Sequence, residues 1–582
     1  MYNYKIERIR FNDGSEINPG PLTVIVGPNN CGKSRILKDI RSLTSDQKPE
    51  SIVVNSVDYL FPDSVNDLIE SCKIEAFRDE NNNYFLRTLS SNLASQHNVH
   101  VGGADWKQTC QDLLAQKNEN NIKQFNYMFG SFYVSLFETE ERLKLIKETE
   151  SSERGTTNNL LQAFYKEGAE VESKLREIVK GAFNKDIRLD YSSLRKILFR
   201  IGDDLDLASL DPREAIAFYD EHEKLDDQGD GIRSFVATIL AILVGKRPVL
   251  LLDEPESFLH PPQSFRLGEV IAAHADNNRQ IIVSTHSVDF LRGILSKRQD
   301  VTIIRVDRKD DINKINVLNS AQVASISQDP LLSSTRILDG LFYKGAIMVE
   351  ADADSVFYQR ISRQLDGADS YHIAHAHNKQ TVAKVLYPYR TLGICFAAIV
   401  DFDVIRVEHE FRTLLTKLGM PVASINKAIV LQKKIVAVIE NVDLEGMLNN
   451  QLIELETEIG RVKENVNKDT YTNLLKGLAG NLKRIRESGS SWKKYKKEGV
   501  SALDAGTQKI FSELSVLCSE NGLFIVPVGE LEGWLVKHGL PYTKNKSKWI
   551  VNALELIPKL NFNSEQPPWD FLQSVFTYLN SK

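Results

Sequence analysis

Apolar residues along this chain recur in short runs that end at glycine, serine or acidic residues. Residues 4–26 predict strands, and the apolar run at 23–26 leads through a glycine-rich turn into helical spacing at 33–43. A second pattern of this kind spans residues 229–307, where helical segments separate three short β-rich runs. The predicted strands of this pattern are 249–252, 280–284 and 301–306. Alternation of short strands and helices predicts a parallel sheet, so we expect an α/β fold.

A third αβ region begins near Lys344, and its buried-strand runs are 346–349, 396–400 and 523–528. An insertion at about residues 427–500 separates the last two runs and carries two apolar stripes with spacings of three and four. The stripes are Leu452, Leu455, Ile459, Val462 and Val466, and then Leu475, Leu478, Leu482 and Ile485. This spacing predicts a helical hairpin that turns near residues 467–471. By contrast, residues 60–225 carry a mixed, mostly helical pattern without a recognisable chemical motif.

Composition narrows the class of protein. The chain has 582 residues, which corresponds to about four domains at roughly 150 residues each. Apolar residues make up 42% and charged residues 26%, as in ordinary folded proteins. The net charge of −6 excludes a globally basic nucleic-acid coat but allows a local basic patch.

Cysteine usage and hydropathy predict the compartment. The five cysteines are scattered, without a CxxC pair, which argues against a zinc ribbon and a disulfide framework. No apolar stretch follows the charged N-terminus, and no run approaches the roughly 20 residues that span a bilayer. We therefore expect a cytoplasmic protein that does not enter a membrane.

A phosphate-binding loop follows the first predicted strand region. The residues Gly27-Pro28-Asn29-Asn30-Cys31-Gly32-Lys33-Ser34 fit the pattern GxxxxGK[ST] between a strand and a helix. Backbone N–H groups of such a loop, including those at Gly27, Asn30 and Gly32, cradle phosphate oxygens. Lys33 is predicted to reach the β- and γ-phosphates of ATP, and Ser34 to ligate Mg²⁺.

The strand at 249–252 supplies the second half of the predicted nucleotide site. It delivers Asp253 to the metal, and Glu254 follows as the candidate base that orients the attacking water. His286 comes directly after the next predicted strand, where an imidazole can sense the γ-phosphate. Gly229, Gly231 and Arg233 open a helix just before residue 249, which predicts a second anion-binding surface.

These four motifs, in this order, resemble the ABC-type ATPases, and more closely their RecF/SMC-like and overcoming-lysogenization-defect (OLD) branch. The run DEPESFLHP at 253–261 is similar to the Walker B and D-loop segments of that branch. In that family two ATPase heads sandwich ATP, so the resemblance implies that Gly229, Gly231 and Arg233 act on the nucleotide of a partner. It also implies a homodimer or a higher homo-oligomer. The segment at 228–234, which corresponds to the signature loop of that family, does not have its usual sequence LSGGQ. No glutamine is assigned to the Q-loop.

Carboxylates follow each predicted strand of the third region. Glu350 and Asp354 come after the first, Asp401 and Asp403 after the second, and Glu530 and Glu532 after the third. Because the carboxyl ends of parallel strands meet at one edge of a sheet, we expect these side chains to cluster. Clustered carboxylates repel one another, and a divalent cation with oxygen ligands, Mg²⁺ or Mn²⁺, relieves that repulsion.

This arrangement resembles a TOPRIM domain, which has Glu on one strand and Asp-x-Asp on another. The resemblance implies metal ligation by Glu350, Asp354, Asp401 and Asp403, with Glu530 and Glu532 as further candidates, and catalysis that depends on Glu350 and Asp401. The glycine that the family carries after the first Glu is Ala351 here. OLD-type nucleases also use a late lysine to neutralise transition-state charge. Lys544, Lys546 and Lys548 are the candidates, and we favour Lys548 because it opens an apparent helix; a solvated charge run is the equal alternative.

Two further clusters have competing interpretations. The stretch 372–377 holds His372, His375 and His377, and histidines two apart on a strand, such as His375 and His377, can chelate zinc. The stretch also fits an ordinary second strand, which we favour. Residues 483–497 hold seven basic residues and one acid, with Trp492 and Tyr495 interleaved. The basic residues are Lys483, Arg484, Arg486, Lys493, Lys494, Lys496 and Lys497. They predict a DNA-binding surface with aromatic stacking, and a solvated helix end is the alternative.

Together these patterns predict an α/β protein with an ABC-type ATPase domain at 1–340 and a TOPRIM domain at 341–582. The first is expected to contain a helical insertion at about 60–225, and the second a helical-hairpin insertion at about 427–500. The resemblance implies an ATP- and Mg²⁺-dependent DNA endonuclease of bacterial anti-phage defence, similar to Gabija-type and retron-associated nucleases. DNA is the expected partner, and a defence-system protein or retron nucleic acid is a further candidate. A RecF/SMC-like clamp or scaffold with a non-cleaving TOPRIM domain is the alternative. A transporter ATPase leaves the region after 344 unexplained, and topoisomerases and primases do not normally carry an ABC-type head.

Overall fold

The structure is a computed structural model of the 582-residue chain. It describes residues 3–71, 74–88, 98–115, 118–151, 157, 159–206, 211–245, 247–276, 278–318, 338–365, 368–376, 379–391, 393–440, 444–465, 479–480, 492–543, 545–560, 563 and 565–582. The chain divides into two units, Met1–Phe342 and Tyr343–Lys582.

The first unit contains three separate sheets and a central sheet, with helices between the strands. Its strands are β1 (Ile6–Phe11), β2 (Glu16–Ile17), β3 (Leu22–Val26), β4 (Val54–Tyr59), β5 (Ile74–Arg78), β6 (Tyr84–Thr88), β7 (Asn98–Gly102), β8 (Val134–Phe137), β9 (Thr149–Glu150), β10 (Asp186–Asp190), β11 (Lys196–Gly202), β12 (Glu223–Lys224), β13 (Val249–Asp253), β14 (Gln280–Ser284), β15 (Thr302–Lys309) and β16 (Ile312–Leu318). Its helices are α1 (Lys33–Ser45), α2 (Val65–Ser71), α3 (Trp106–Ala115), α4 (Glu119–Phe125), α5 (Ser131–Tyr133), α6 (Thr139–Lys144), α7 (Leu160–Glu167), α8 (Ala169–Phe183), α9 (Pro212–Asp220), α10 (Asp230–Val244), α11 (Pro261–His274) and α12 (Val288–Lys297).

The central sheet of the first unit has six strands in the order β16-β15-β3-β14-β13-β8. All neighbouring pairs are parallel except β15 with β16. Every residue of β3 and β14 is buried, as expected for strands that are covered on both faces. The parallel sheet predicted from the apolar runs is therefore present, and its register places the end of β13 level with the end of β14, at Asp253 and Ser284.

Residues 60–225 differ from the predicted helical insertion. They contain an antiparallel sheet of β5, β6 and β7, a second antiparallel sheet of β9 to β12, and β8, which joins the central sheet. The helical prediction was wrong in its extent because these strands are short, and several of them alternate buried with exposed residues amid polar segments. Period-two patterns of about five residues are too brief to stand out against neighbouring helices.

The second unit is built on one parallel sheet. Its strands are β17 (Gly345–Val349), β18 (Tyr371–His375), β19 (Cys395–Val400) and β20 (Leu523–Ile525). Its helices are α13 (Asp352–Ser362), α14 (Lys379–Thr391), α15 (Glu408–Leu418), α16 (Val422–Glu440), α17 (Leu444–Asn465), α18 (Trp492–Glu498), α19 (Ala505–Ser519), α20 (Lys546–Leu556) and α21 (Trp569–Ser581). The strand order is β18-β17-β19-β20, and all pairs are parallel.

Helices cover this sheet and fix where its strand ends lie. The core of the second unit joins Ile347 and Val349 of β17 to three buried tryptophans, Trp534, Trp549 and Trp569. Each large apolar side chain buried in this way contributes roughly 1.5–3 kcal/mol. The rigid core thereby holds the loops after β17, β19 and β20 at one edge.

The predicted helical hairpin is described in part. The rest of its first stripe lies on α17, while Val466, the proposed turn at 467–471 and the whole second stripe fall outside the described residues. None of the described helices is both long enough and apolar enough to cross a bilayer.

Candidate functional site

The phosphate-binding loop connects β3 to α1, as its motif predicts. Gly32 caps the helix N-terminus, and Lys33 and Ser34 are the first two helical residues. The Lys33 ammonium donates hydrogen bonds to the carbonyl oxygens of Gly27 at 2.9 Å and Pro28 at 2.8 Å. Burial lowers the pKa of Lys33. The lysine thus lies folded back on its own loop, beside the N–H groups at the helix start.

The second half of the nucleotide site lies at the ends of two neighbouring strands. Asp253 ends β13 and accepts a hydrogen bond from the Ser284 hydroxyl at the end of β14. Glu254 follows Asp253, and its Oε1 lies 2.6 Å from Nε2 of His286. The hydrogen bond with His286 lowers the pKa of Glu254. The structure therefore brings together the two side chains that the sequence assigned to water activation and γ-phosphate sensing.

A buried arginine, not predicted from the sequence, supports this strand end. Arg142 on α6 is fully buried and donates to the backbone carbonyls of Phe137, Asp253 and Glu254, the last at 2.8 Å. Burial lowers the pKa of its guanidinium to about 10. A single arginine among polar residues gives no periodic or spacing signal, so only the fold identifies it.

Glu256 is a second residue that sequence reasoning missed. Its Oε1 accepts hydrogen bonds from the Thr285 hydroxyl at 2.6 Å and from the backbone N–H of His286 at 2.9 Å. Burial raises the pKa of this carboxyl group. Glu256 therefore fixes the turn that carries His286.

The predicted signature residues lie at the start of α10. Gly229 is its N-cap, and the Arg233 guanidinium binds Asp230 at 2.8 Å. A Cβ atom on Gly231 would lie 2.7 Å from the carbonyl oxygen of Phe258, so this position needs glycine. The loop borders a cavity of about 760 Å³ that Phe258 also lines. The signature loop and the segment after β13 thus pack together within one chain.

The predicted carboxylates of the second unit follow its three adjacent strands. Glu350 comes after β17, Asp401 after β19, and Glu530 after β20. Oε1 of Glu350 accepts a hydrogen bond from the backbone N–H of Asp401 at 3.0 Å, which joins two strand ends directly. Asp354, in the first turn of α13, accepts from the backbone N–H of Ala351 at 2.8 Å. The convergence expected from parallel strands is therefore present.

Electrostatics at this edge favour a cation. Burial, together with the negative charge of Glu350, Asp354 and Glu530, raises the pKa of Asp401 well above its ordinary value. Burial also raises the pKa of Glu532, which is 4% exposed. Oxygen donors with excess negative charge are the chemistry that Mg²⁺ and Mn²⁺ prefer, so these residues fit a divalent cation.

Lys546, rather than Lys548, reaches this cluster. The Lys546 ammonium lies 2.8 Å from Oδ1 of Asp354, and burial, which lowers its pKa, is outweighed by the charges of Asp354 and Asp401, so the pKa is raised. Lys548 is exposed, and its backbone N–H binds the side chain of Asn545. The choice of Lys548 is corrected because α20 begins at Lys546: residues two apart point to different sides of a helix. Lys544 lies outside the described residues.

Lys496 is a second cation in the cluster. Its ammonium lies 2.8 Å from Oδ2 of Asp403 and 3.2 Å from Oε1 of Glu530. Oε2 of Glu530 accepts a hydrogen bond from the Tyr542 hydroxyl at 2.8 Å. The sequence had grouped Lys496 with the basic stretch, but its side chain turns toward the carboxylates.

The rest of the basic stretch is described in part. Lys493, Lys494 and Lys497 are exposed on α18, whereas 483–487 fall outside the described residues. Trp492 and Tyr495 are buried, so the stacking role predicted for them is wrong: both pack into the core of the unit. The short helix α18 buries its aromatic residues against the turn that follows β19, where the ring centroids of Trp492 and Phe402 are 6.3 Å apart.

A second cluster of carboxylates lies in the first unit. In the part of the chain that the structure describes, Asp186, Asp204 and Asp206 place three ligand atoms within 4.8 Å of one another. Arg176 binds Asp186 and Asp206, each at 2.5 Å. Because the Arg176 guanidinium already binds two of the three carboxylates, we interpret the group as an ion-pair cluster.

The first part of the histidine stretch forms strand β18 (Tyr371–His375), which agrees with the interpretation of an ordinary strand. His372 and His375 lie on β18, and Nε2 of His375 is 3.6 Å from Asp352. His377 lies outside the described residues.

Comparisons with known proteins agree with the nucleotide-site geometry. Residues 22–292 match a family model described as "AAA domain, putative AbiEii toxin, Type IV TA system". This stretch holds the phosphate-binding loop, Asp253, Glu254 and His286, and it is similar to that AAA-domain model. The OLD nuclease of Thermus scotoductus is 22% identical over 449 residues, which are 69% of this chain and 81% of that protein. The resemblance to the OLD family that the motifs predicted is confirmed.

Solved structures similar to this chain include SMC heads. One is the SMC head bound to the C-winged helix domain of ScpA, with a TM-score of 0.35, 14% identity, and coverage of 55% of this chain and 100% of that chain. The SMC head domain from Thermotoga maritima gives a TM-score of 0.28, 14% identity, and coverage of 54% and 99%. These scores are too low to define the fold, which follows from the strand order of this chain.

Proposed function

We propose that this chain is an ATP-hydrolysing, divalent-metal-dependent DNA endonuclease of the OLD type, with a TOPRIM domain in residues 343–582. The observation that carries the proposal is the contact of Glu350 with the backbone of Asp401 at the ends of β17 and β19. It joins the Glu of one strand to the Asp-x-Asp of its neighbour in a chain that also carries an ATPase domain.

Glu350, Asp401, Asp403 and Glu530 are the residues that would hold divalent cations, with Asp354 and Glu532 beside them. A bound divalent cation supplies an activated water and neutralises charge on a phosphodiester. The chain's own contribution is positioning: the Asp401 N–H orients Glu350, and Tyr542 orients Glu530. Lys546 places a positive charge next to Asp354, where it stabilises negative charge that develops on the phosphate oxygens.

The ATPase domain works through the residues of its two strand ends. When ATP binds, the Lys33 ammonium would exchange its loop carbonyls for the β- and γ-phosphates, and Ser34 and Asp253 would hold Mg²⁺. Glu254, held by His286 at 2.6 Å, orients the attacking water. Gly229, Gly231 and Arg233 contact the nucleotide of a second copy, so ATP closes a homodimer and controls the access of DNA to the carboxylates.

Supercoiled plasmid tests the nuclease. We expect the purified protein to nick or linearise plasmid with Mg²⁺ or Mn²⁺, and Glu350→Gln to abolish cleavage while its ATP hydrolysis stays at the wild-type level. Lys33→Ala is the matched variant for the nucleotide site and loses ATP hydrolysis. Cleavage that survives Glu350→Gln refutes the assigned site.

A non-cleaving clamp is the second candidate, and the two lysines among the carboxylates favour it, because they can neutralise the cluster without a metal. This alternative is supported if the protein binds DNA only with ATP and does not cleave it in the presence of any divalent cation. Anti-phage defence is the role that the resemblance suggests, and phage plating on cells with wild type or Glu350→Gln tests it.

A further inference from the structure

The helix that carries Lys496 is fixed against the loop that carries Glu530. Gly529 has φ 97°, and a Cβ atom there would lie 2.1 Å from the carbonyl oxygen of Lys496. The backbone N–H of Val500, just after α18, donates to the carbonyl of Pro527 at 2.8 Å. Trp492 at the start of the helix is 2% exposed. The backbone of Lys496 is therefore held in place by close main-chain packing, independently of its side-chain charge.

The Lys496 side chain bridges two strand ends. Its ammonium contacts Asp403, which follows β19, and Glu530, which follows β20. The side chain of Lys496 is 36% exposed, while those of Asp403 and Glu530 are 16% and 21% exposed. Two half-buried carboxylates thus share one cation that retains a route to solvent. Because the stem of lysine is flexible, the ammonium can leave this position without moving α18.

We infer that Lys496 is a built-in counter-cation that occupies the place of a second divalent cation between Asp403 and Glu530. This inference rests on the proposed function, because it concerns the same carboxylate cluster. An ammonium and a divalent cation cannot share these two carboxylates, since like charges at contact distance repel strongly in a half-buried site. The Glu350–Asp401 side accepts a cation first, and the Asp403–Glu530 side accepts one only after Lys496 withdraws.

Binding of the second cation therefore depends on what draws the Lys496 ammonium away from Asp403 and Glu530. A DNA phosphate is an alternative partner for the Lys496 ammonium, and Lys493, Lys494 and Lys497 lie exposed on the same helix. The arrival of DNA therefore favours both the withdrawal of Lys496 and the completion of the metal site.

Binding of Mn²⁺ to the full-length protein tests the inference without reference to cleavage. The protein is treated with chelator, freed of nucleotide and titrated with Mn²⁺ by calorimetry and by electron paramagnetic resonance of free Mn²⁺. We expect Lys496→Met to bind one more Mn²⁺ per chain than the wild type, or to bind the second with a Kd lower by roughly tenfold. Asp403→Asn in the Lys496→Met background removes this gain.

Two controls isolate the charge at position 496. Lys496→Arg keeps a cation and is expected to bind Mn²⁺ as the wild type does. Lys509→Met, which removes an exposed lysine on α19, leaves Mn²⁺ binding unchanged. Equal Mn²⁺ binding by Lys496→Met and the wild type, with equal thermal melting, overturns the counter-cation role. The proposed metal site itself fails if the wild type and Glu350→Gln bind the same amount of Mn²⁺. This result differs from equal binding by Lys496→Met and the wild type, so the two failures are distinguishable.

Discussion

Oε1 of Glu350 accepts a hydrogen bond from the backbone N–H of Asp401 at 3.0 Å, and this contact ties the end of β17 to the end of β19. The two residues are 51 positions apart in the chain. Their contact places a half-buried carboxylate next to Asp401. Burial is the largest cause of the raised pKa of Asp401, and the negative charge of Glu350 adds to it. The carboxylates at this site therefore repel one another when no cation is bound.

Asp401→Asn is expected to stabilise the metal-free protein. The substitution removes a half-buried negative charge that Glu350 and Asp354 repel. Removing an unfavourable charge of this kind commonly stabilises a protein by about 1 kcal/mol. We expect the melting temperature of the second unit in chelator to rise by roughly 2–4 °C. Calorimetry with and without Mn²⁺ measures this, and Mn²⁺ should stabilise the wild type but not the variant. A lower melting temperature in chelator would contradict the unfavourable charge of Asp401.

Lys546→Ala is expected to reduce plasmid cleavage by about 100-fold, because one preorganised donor at a developing charge is worth roughly that factor. Lys548→Ala is the matched control on the same helix, and its exposed side chain predicts a change of less than about threefold. Initial rates of plasmid nicking distinguish the two. A larger loss of cleavage in Lys548→Ala than in Lys546→Ala would support Lys548, the lysine favoured from the sequence.

Glu254→Gln is expected to slow ATP hydrolysis by at least about 100-fold, because it removes the group that orients water. ATP binding, measured by fluorescence of a nucleotide analogue, should persist. His286→Ala should give a smaller loss, since Glu254 keeps its charge but loses the partner at 2.6 Å. If both variants lost nucleotide binding, the pair would be binding residues and not water-positioning residues.

Arg142→Met is expected to destabilise the first unit by about 2–3 kcal/mol, because one buried and two part-buried carbonyls lose a charged donor. Denaturant unfolding followed at this unit measures the loss, and ATP hydrolysis should fall as the end of β13 loosens. Arg213→Met is the control: its side chain is 88% exposed, and its effect should stay within about 0.5 kcal/mol.

Charge reversal of Lys493, Lys494 and Lys497 to Glu is expected to weaken DNA binding and to reduce its salt dependence. Each lost phosphate contact lowers the slope of log K against log salt by about 0.9. Fluorescence anisotropy over a salt series gives both quantities. Lys417→Glu, an exposed position on α15, is the control for general charge effects, and an equal loss there would argue against a localised DNA surface.

Local patterns determined much of this protein. The motif GxxxxGK[ST] between β3 and α1, the acidic pair after β13 and the carboxylates after β17, β19 and β20 were all readable, because strand runs and turn residues are adjacent in sequence. The same patterns, with the resemblance that they carry, predicted the OLD relationship.

Tertiary structure decided the contacts between distant segments. Only packing shows that Arg142 supports the end of β13, that Lys546 and not Lys548 reaches Asp354, and that Lys496 faces Asp403. It also buries Trp492 and Tyr495, which the sequence alone presented as a stacking surface. The physical reason is that periodicity fixes which residues share an element, whereas the direction of one side chain depends on where its element begins and on what packs against it.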